Sequence, residues 1–197
     1  MRLLHLGDLD LALPLGAALA MCLFAAGAWR MALRWGLCFG AAVTLVAGSK
    51  IAFLGWGTAL SALDFKALSG HATLVTSLYP VLAWTLLVKQ GPVAARLALA
   101  SGLALGALVA WLLVITGEHS ALEAIGGWLL GAGVCLASLA PGPDLARARL
   151  VRGLCWSLPV FAIGVWLMES AHVGYWMVRL ALALSGNHRP YPWDTCS

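Results

Sequence analysis

Charge is what this sequence has least of: 12 Lys and Arg and 8 Asp and Glu among 197 residues, or 10%. A soluble domain carries about 25% charged residues. With so little polar surface, a water-exposed globule is excluded, and no stretch between the apolar runs is long enough to be a separate soluble domain. The five cysteines (Cys22, Cys38, Cys135, Cys155 and Cys196) lack metal-type spacing. Four of them lie in apolar runs, where Cys packs as a small hydrophobe. There is no repeat of fixed period and no low-complexity tract beyond a Leu/Ala bias. The net charge of +4 is too small and too scattered to suggest nucleic acid as a partner.

What is present is apolar length. The chain is 62% hydrophobic with a mean hydropathy of +0.91, and a spanning helix needs roughly 20 apolar residues. The runs predict spans at about 11–29, 35–56, 70–88, 95–115, 120–140 and 153–178. Their Leu/Ala richness favours helices over a barrel. The expected fold is therefore all-α: a polytopic six-transmembrane-helix bundle, with residues 1–197 as a single integral membrane domain. Asp8 and Asp10 precede the first run and further spans follow it, so a cleavable signal peptide is not expected.

Six spans place Arg30, Arg34, Lys89, Arg96, Arg147, Arg149 and Arg152 on one side and Arg2, Lys50, Lys66, Arg179 and Arg189 on the other, 7 against 5. The positive-inside rule then puts both termini and the Lys50 side outside the cytoplasm. This predicts an inner (cytoplasmic) membrane protein of a bacterium, with that side facing the periplasm or exterior. Trp29, Trp35, Trp56, Trp84 and Trp111 lie near span ends and suit interfacial anchoring. Gly91-Pro92 and Pro141-Gly142-Pro143-Asp144 mark turns, residues 55–69 form the longest connection, and the polar tail 185–197 is expected to be irregular.

Ionisable residues in or beside a membrane are costly and point to function. Lys50 lies near the end of the second span, Ser69-Gly70-His71 opens the third, and Glu118-His119 with Glu123 opens the fifth. Span parity puts these segments on one side, where Lys50, His71 and His119 can meet. Ser69 and Gly70 at a helix start offer backbone N–H groups, a hydroxyl and close backbone approach, which suit a phosphate. His119 and Glu123 are four apart and share a helix face. The carboxylate can hold one imidazole nitrogen and leave the other as base or nucleophile. His71 then suits the general acid, and Lys50 a charge on phosphoryl oxygens.

In this order the residues resemble the type-2 phosphatidic acid phosphatase superfamily, whose motifs read K-x6-R-P, P-S-G-H and S-R-x5-H-x3-D. Lys50, Leu68-Ser69-Gly70-His71 and His119-Ser120-Ala121-Leu122-Glu123 fall on them, and the Gly127–Gly131 run follows the third. The resemblance implies a lipid phosphate phosphatase, a phosphoric monoester or diphosphate hydrolase acting through a phosphohistidine. It implies His119 as nucleophile, His71 as acid, Glu123 as the orienting carboxylate, and no metal or other cofactor. Lys50, Ser69, Gly70 and Lys66 would bind a lipid phosphate substrate within the bilayer. The chain departs from the pattern at both arginines: Gly57-Thr58 stands for Arg-Pro and Leu112-Leu113 for Ser-Arg, while Glu123 replaces Asp. Lys66 and the amides near Ser69 are the candidates to compensate.

Blander readings run beside these. Lys50 can snorkel, Ser-Gly is a common helix start, and His119 with Glu123 can be a helix cap and an i,i+4 pair. Asp64 and Glu118 read as solvated loop acids, and His172 with Glu169 as packing. Two rival functions follow: a catalytically weak or inactive relative that binds a lipid headgroup or membrane partner, and a metal site of His71, His119, Glu123 and Asp64 that makes a metal-dependent membrane hydrolase or an ion-handling protein.

Overall fold

Backbone groups in an apolar solvent must pair within their own segment, and the apolar runs accordingly fold as helices. The computed structural model describes residues 3–139 and 147–192. Its helices are α1 (Leu9–Ala25), α2 (Trp29–Trp56), α3 (Gly70–Leu87), α4 (Pro92–Ile115), α5 (Ala121–Leu139), α6 (Arg147–Ala171) and α7 (Val173–Ser185). Among the described residues there is no strand, only an isolated bridge between Leu60 and Phe65. The expected Pro141–Asp144 turn, Arg2 and Cys196 lie outside the described residues.

Among the described residues, five helices are long and apolar enough to cross a membrane: Trp29–Trp56, Gly70–Gln90, Pro92–Ile115, Ala121–Leu139 and Arg149–Ala171. Two of the expected spans come out differently. The run at 11–29 is α1, which has 17 residues and ends at Ala25 because Gly27 takes a left-handed turn at φ 84°. The stretch expected as one span at 153–178 is broken at His172, whose φ of 44° ends α6 and restarts the chain as α7.

The core is built around α3. Of its apolar window 56% is buried, against 6% for that of α6, which leaves α6 at the periphery. Small residues set the spacing. Gly102 and Gly106 of α4 lie on Pro80 and Thr76 of α3, and Gly127 and Gly131 of α5 lie on Ser69 and Thr73. Both pairs have G-x-x-x-G spacing, which lets membrane helices approach at backbone distance. A Cβ on Gly127 would sit 2.6 Å from the Ser69 carbonyl, and one on Gly131 2.7 Å from that of Thr73. The contacts run in the same order along both chains, so α5 lies parallel to α3 and the two helices start at the same end.

On the other flank, α1 runs antiparallel to α6, with Pro14 against Gly164 and Cys22 against Gly153. Trp35 departs from its expected interfacial role. It is buried, stacks on Phe39 with centroids 4.7 Å apart, and donates its indole N–H to the Ser77 carbonyl at 3.1 Å. That bond ties α2 to α3. Trp29, Trp56 and Trp111 are exposed.

Candidate functional site

The site lies where α3 and α5 begin, and Glu123 is its centre. Ser120 precedes α5 and accepts the Glu123 N–H on its hydroxyl at 3.3 Å, while Glu123 Oε2 accepts the Ser120 N–H at 3.3 Å. This reciprocal pair is a capping box, and it fixes the carboxylate at the mouth of the helix. The same Oε2 takes His119 Nδ1 at 2.7 Å. Oε1 accepts the backbone N–H of Lys66 at 2.7 Å and of Ala67 at 3.2 Å. One carboxylate therefore joins the α4–α5 connection to the α2–α3 connection. The expected meeting of these two loops at one end of the bundle is met by direct bonds.

The two side chains are well enclosed, with His119 13% and Glu123 6% exposed. Burial pushes the His119 imidazole below its ordinary value, and the positive charges of Lys50 and His71 act in the same direction. The bond to Glu123 opposes both without outweighing them. His119 is thus held neutral near pH 7, with Nδ1 committed to Glu123 and Nε2 left over.

Two cavities meet over this layer. The smaller, about 560 Å³, is lined by Asp8, Asp10, Lys50, Gly70, His71, Glu169 and His172 together with mostly apolar residues of α1, α2, α3, α6 and α7. The larger, about 960 Å³, holds His119, Glu123, Lys66, Asp64 and Glu118. Lys50, Gly174 and Met177 line both. Lys50 therefore stands between the two histidines, close enough to Glu123 for their charges to attract. Its Nζ lies 3.8 Å from where a Cβ on Gly70 would be.

Ser69 departs from its expected role as an open anion ligand. It is fully buried, its hydroxyl accepts the Ala72 N–H at 3.4 Å, and its N–H donates to the Glu123 carbonyl at 3.1 Å. Its work is to cap α3 and tie it to α5. Gly70 and His71 remain as the first residues of the helix, whose N–H groups have no intrahelical acceptor. Lys66 lines the larger cavity, with its backbone N–H engaged by Glu123. Asp64 and Glu118 are exposed at that cavity's rim.

The positions where the resemblance expects arginine are occupied structurally. Leu113 is buried among Val109, Ala110 and Ala124, and its carbonyl accepts the N–H groups of Glu118 and His119 at 3.0 and 3.1 Å. Gly57 is left-handed at φ 65° and packed beneath the Tyr191 ring. Among the described residues no three His, Cys, Asp or Glu side chains cluster as metal ligands. The set His71, His119, Glu123 and Asp64 forms no such cluster.

Two features escaped the sequence reading. His71 Nε2 meets Asp8 Oδ1 at 3.0 Å, and the other oxygen of Asp8 takes His5 Nδ1 at 2.8 Å. The residues are 63 positions apart, and nothing in the local pattern links them. The capping role of Ser120 was legible in principle, as the S-x-x-E spacing before an apolar run.

No protein-family profile matches the chain, and no solved structure matches it. A Klebsiella pneumoniae protein named "Uncharacterized 22.5 kDa protein in cps region" is 35% identical over 127 residues, covering 64% of this chain. The chain spans about 61% of the length of that relative.

Proposed function

We propose that this chain is an integral membrane phosphatase that hydrolyses a lipid phosphate or diphosphate through a phosphohistidine, as a diverged relative of the type-2 phosphatidic acid phosphatases. One observation carries the reading: Glu123 clamps His119 at Nδ1, which leaves Nε2 at a cavity that Lys50 and Lys66 also line. A carboxylate-held neutral imidazole beside cationic side chains is the arrangement that attack on a phosphate ester needs.

The step runs as follows. His119 Nε2 forms a bond to phosphorus in line with the breaking P–O bond, while its Nδ1–H stays on Glu123. The leaving oxygen takes a proton from the protonated Nδ1 of His71. Water then attacks the phosphohistidine, frees phosphate and returns a proton to His71. Lys50 and the N–H groups of Gly70 and His71 hold the non-bridging oxygens in place of the absent arginines. In this reading α1, about 25 Å long at 1.5 Å per residue, is the sixth span beside α6. The site then faces the periplasm or exterior of a cytoplasmic membrane, by the excess of basic residues at the opposite end.

The network around Glu123 favours a second reading, because its capping box and loop bonds would be needed whether or not His119 reacts. In that case the chain binds a lipid headgroup and turns nothing over. The deciding experiment measures phosphate release from a panel of lipid phosphates by purified protein, with chelator present, beside His119→Ala and His71→Ala. Release abolished by His119→Ala supports the phosphatase. No release from any lipid in the panel favours the headgroup binder, and release that survives His119→Ala rejects the nucleophile.

A further inference from the structure

We infer that Asp8 is a positioning residue for His71, making a second carboxylate–imidazole pair opposite His119 and Glu123; the inference rests on the phosphatase reading above. The two pairs clamp opposite ring nitrogens. Glu123 holds His119 at Nδ1 and leaves Nε2 free, whereas Asp8 holds His71 at Nε2 and leaves Nδ1 free. A nucleophile and an acid working on opposite sides of one phosphorus need their free nitrogens fixed independently, and two separate carboxylates do this.

The segment that carries Asp8 is seated for the task. A short 3-10 turn, Leu4–Gly7, lies against α3, with Leu4 and Leu6 packed on the cluster of Val75, Val109 and Leu113. Tyr79 donates its hydroxyl to the Leu6 carbonyl at 3.2 Å. Gly7 passes so close to His71 that a Cβ there would lie 2.8 Å from the His71 Cα. Asp8 also starts α1, yet its side chain makes no capping bond to that helix. The carboxylate turns instead to the two imidazoles. Burial alone would push the Asp8 pKa above the ordinary carboxylate value, but the bonds from His5 and His71 outweigh burial and hold it below that value, so Asp8 stays ionised. His5 is 73% exposed against 31% for His71, so the enclosed partner is His71.

When His71 Nδ1 gives its proton to the leaving oxygen, the ring becomes neutral and keeps its Nε2–H on Asp8. Without the carboxylate the ring can turn or take the other tautomer, and proton delivery fails. The defect must then depend on the leaving group, because an aryl phosphate departs without a proton and an alkyl phosphate does not.

The experiment compares an alkyl and an aryl phosphate as substrates of the full chain in detergent micelles, together with the nitrogen-15 resonances of the histidines. Asp8→Asn is expected to slow the alkyl substrate by about 10- to 100-fold, within the range of a lost general acid. The aryl substrate should change by no more than about 3-fold, as general acid catalysis has no proton to deliver there. His71→Ala should show the same split, and Asp8→Glu should recover most of the alkyl rate. The His71 resonances should shift in Asp8→Asn while those of His119 stay. Equal slowing of both substrates, or unchanged His71 resonances, overturns the inference. If wild-type protein releases phosphate from neither substrate, the phosphatase reading fails by itself, and the resonances still decide whether Asp8 holds His71.

Discussion

Replacing Glu123 by Gln is the sharpest perturbation available, because the side chain keeps its shape and loses one acceptor. Glu123 accepts four hydrogen bonds, from His119 Nδ1, Ser120 N, Lys66 N and Ala67 N. A glutamine has one oxygen and one NH2. With its oxygen toward Lys66 and Ala67, the NH2 faces His119 and Ser120. The Ser120 N–H then loses its protein acceptor, at a cost of about 1 kcal/mol, the low end for an unpaired donor, because it is only part-buried. His119 can meet the NH2 only by making Nδ1 an acceptor, which moves its proton to Nε2 and removes the nucleophile. A wrong-tautomer histidine costs on the order of 10⁴ in turnover. The charge-assisted bonds to Lys66 and Ala67 weaken as well, each from a range of about 1.5–3 kcal/mol toward that of a neutral bond. Glu123→Gln is therefore expected to fold with a lower thermal midpoint and to lose phosphate release almost completely. His119→Ala should match the activity loss while shifting the midpoint less, since it leaves the capping box and the loop bonds intact. The assay is phosphate release and thermal unfolding on the same detergent-solubilised samples. Glu123→Gln retaining activity within about 3-fold of wild type would refute the tautomer argument, since the reasoning allows no partial loss.

Two further outcomes follow from the same geometry. Gly131→Ala places a Cβ 2.7 Å from the Thr73 carbonyl and should destabilise the bundle by about 1–3 kcal/mol through overpacking, read as a lower midpoint; Gly133→Ala, with nothing within 4 Å, should leave it unchanged. Turnover should show an acid limb below pH 6.5, because burial holds His119 below its ordinary value and attack needs the neutral ring. The sign is fixed for this group: the His119 contribution is complete above that limb and is lost as pH drops through the His119 value. A limb above pH 6.5 in kcat/KM would contradict the burial argument.

How far the sequence could be read differs between the bundle and the site. Helical apolar runs were legible because hydropathy and length are local properties, and four of the expected spans fall on long helices with shifted ends. α2 starts at Trp29 rather than 35, directly after the Gly27 turn, and carries Trp35 inside it as a buried tie to Ser77. Lys50, His71, His119 and Glu123 are legible as candidates because ionisable residues are rare in so apolar a chain. The Ser-Gly start of α3 is legible in the sequence, but whether the Ser69 hydroxyl turns to its own helix or to a ligand is set by the fold, which turns it to the Ala72 N–H. The role of Asp8 is not legible, because the fold brings it to His71 across 63 positions. The two arginine positions have a physical reason only in three dimensions: Leu113 fills the α3–α4–α5 core, and Gly57 supplies a left-handed turn under Tyr191.

The break at His172 ties the peripheral helix to the site. A continuous helix through this point would carry residues 173–178 on past the bundle. The left-handed His172 instead turns α7 onto α2, where Gly55 lies 3.0 Å, measured from its would-be Cβ, from the Ala181 carbonyl. That turn brings Gly174 and Met177 to the wall shared by both cavities. A left-handed residue with a Cβ costs about 1–2 kcal/mol, and the His172 ring offsets part of it through Nδ1 bonded to the Ser170 carbonyl at 2.9 Å. The two contributions separate by substitution. His172→Ala removes the ring bond and keeps the strain, so it should lower the thermal midpoint. His172→Gly removes both, and should stand about 1–2 kcal/mol above the alanine variant. Because the turn is kept in the glycine variant, the wall of both cavities stays in place and phosphate release should persist. If glycine proves no more stable than alanine, the strain is not held at this residue, and the bend must be set by the packing of α7 on α2.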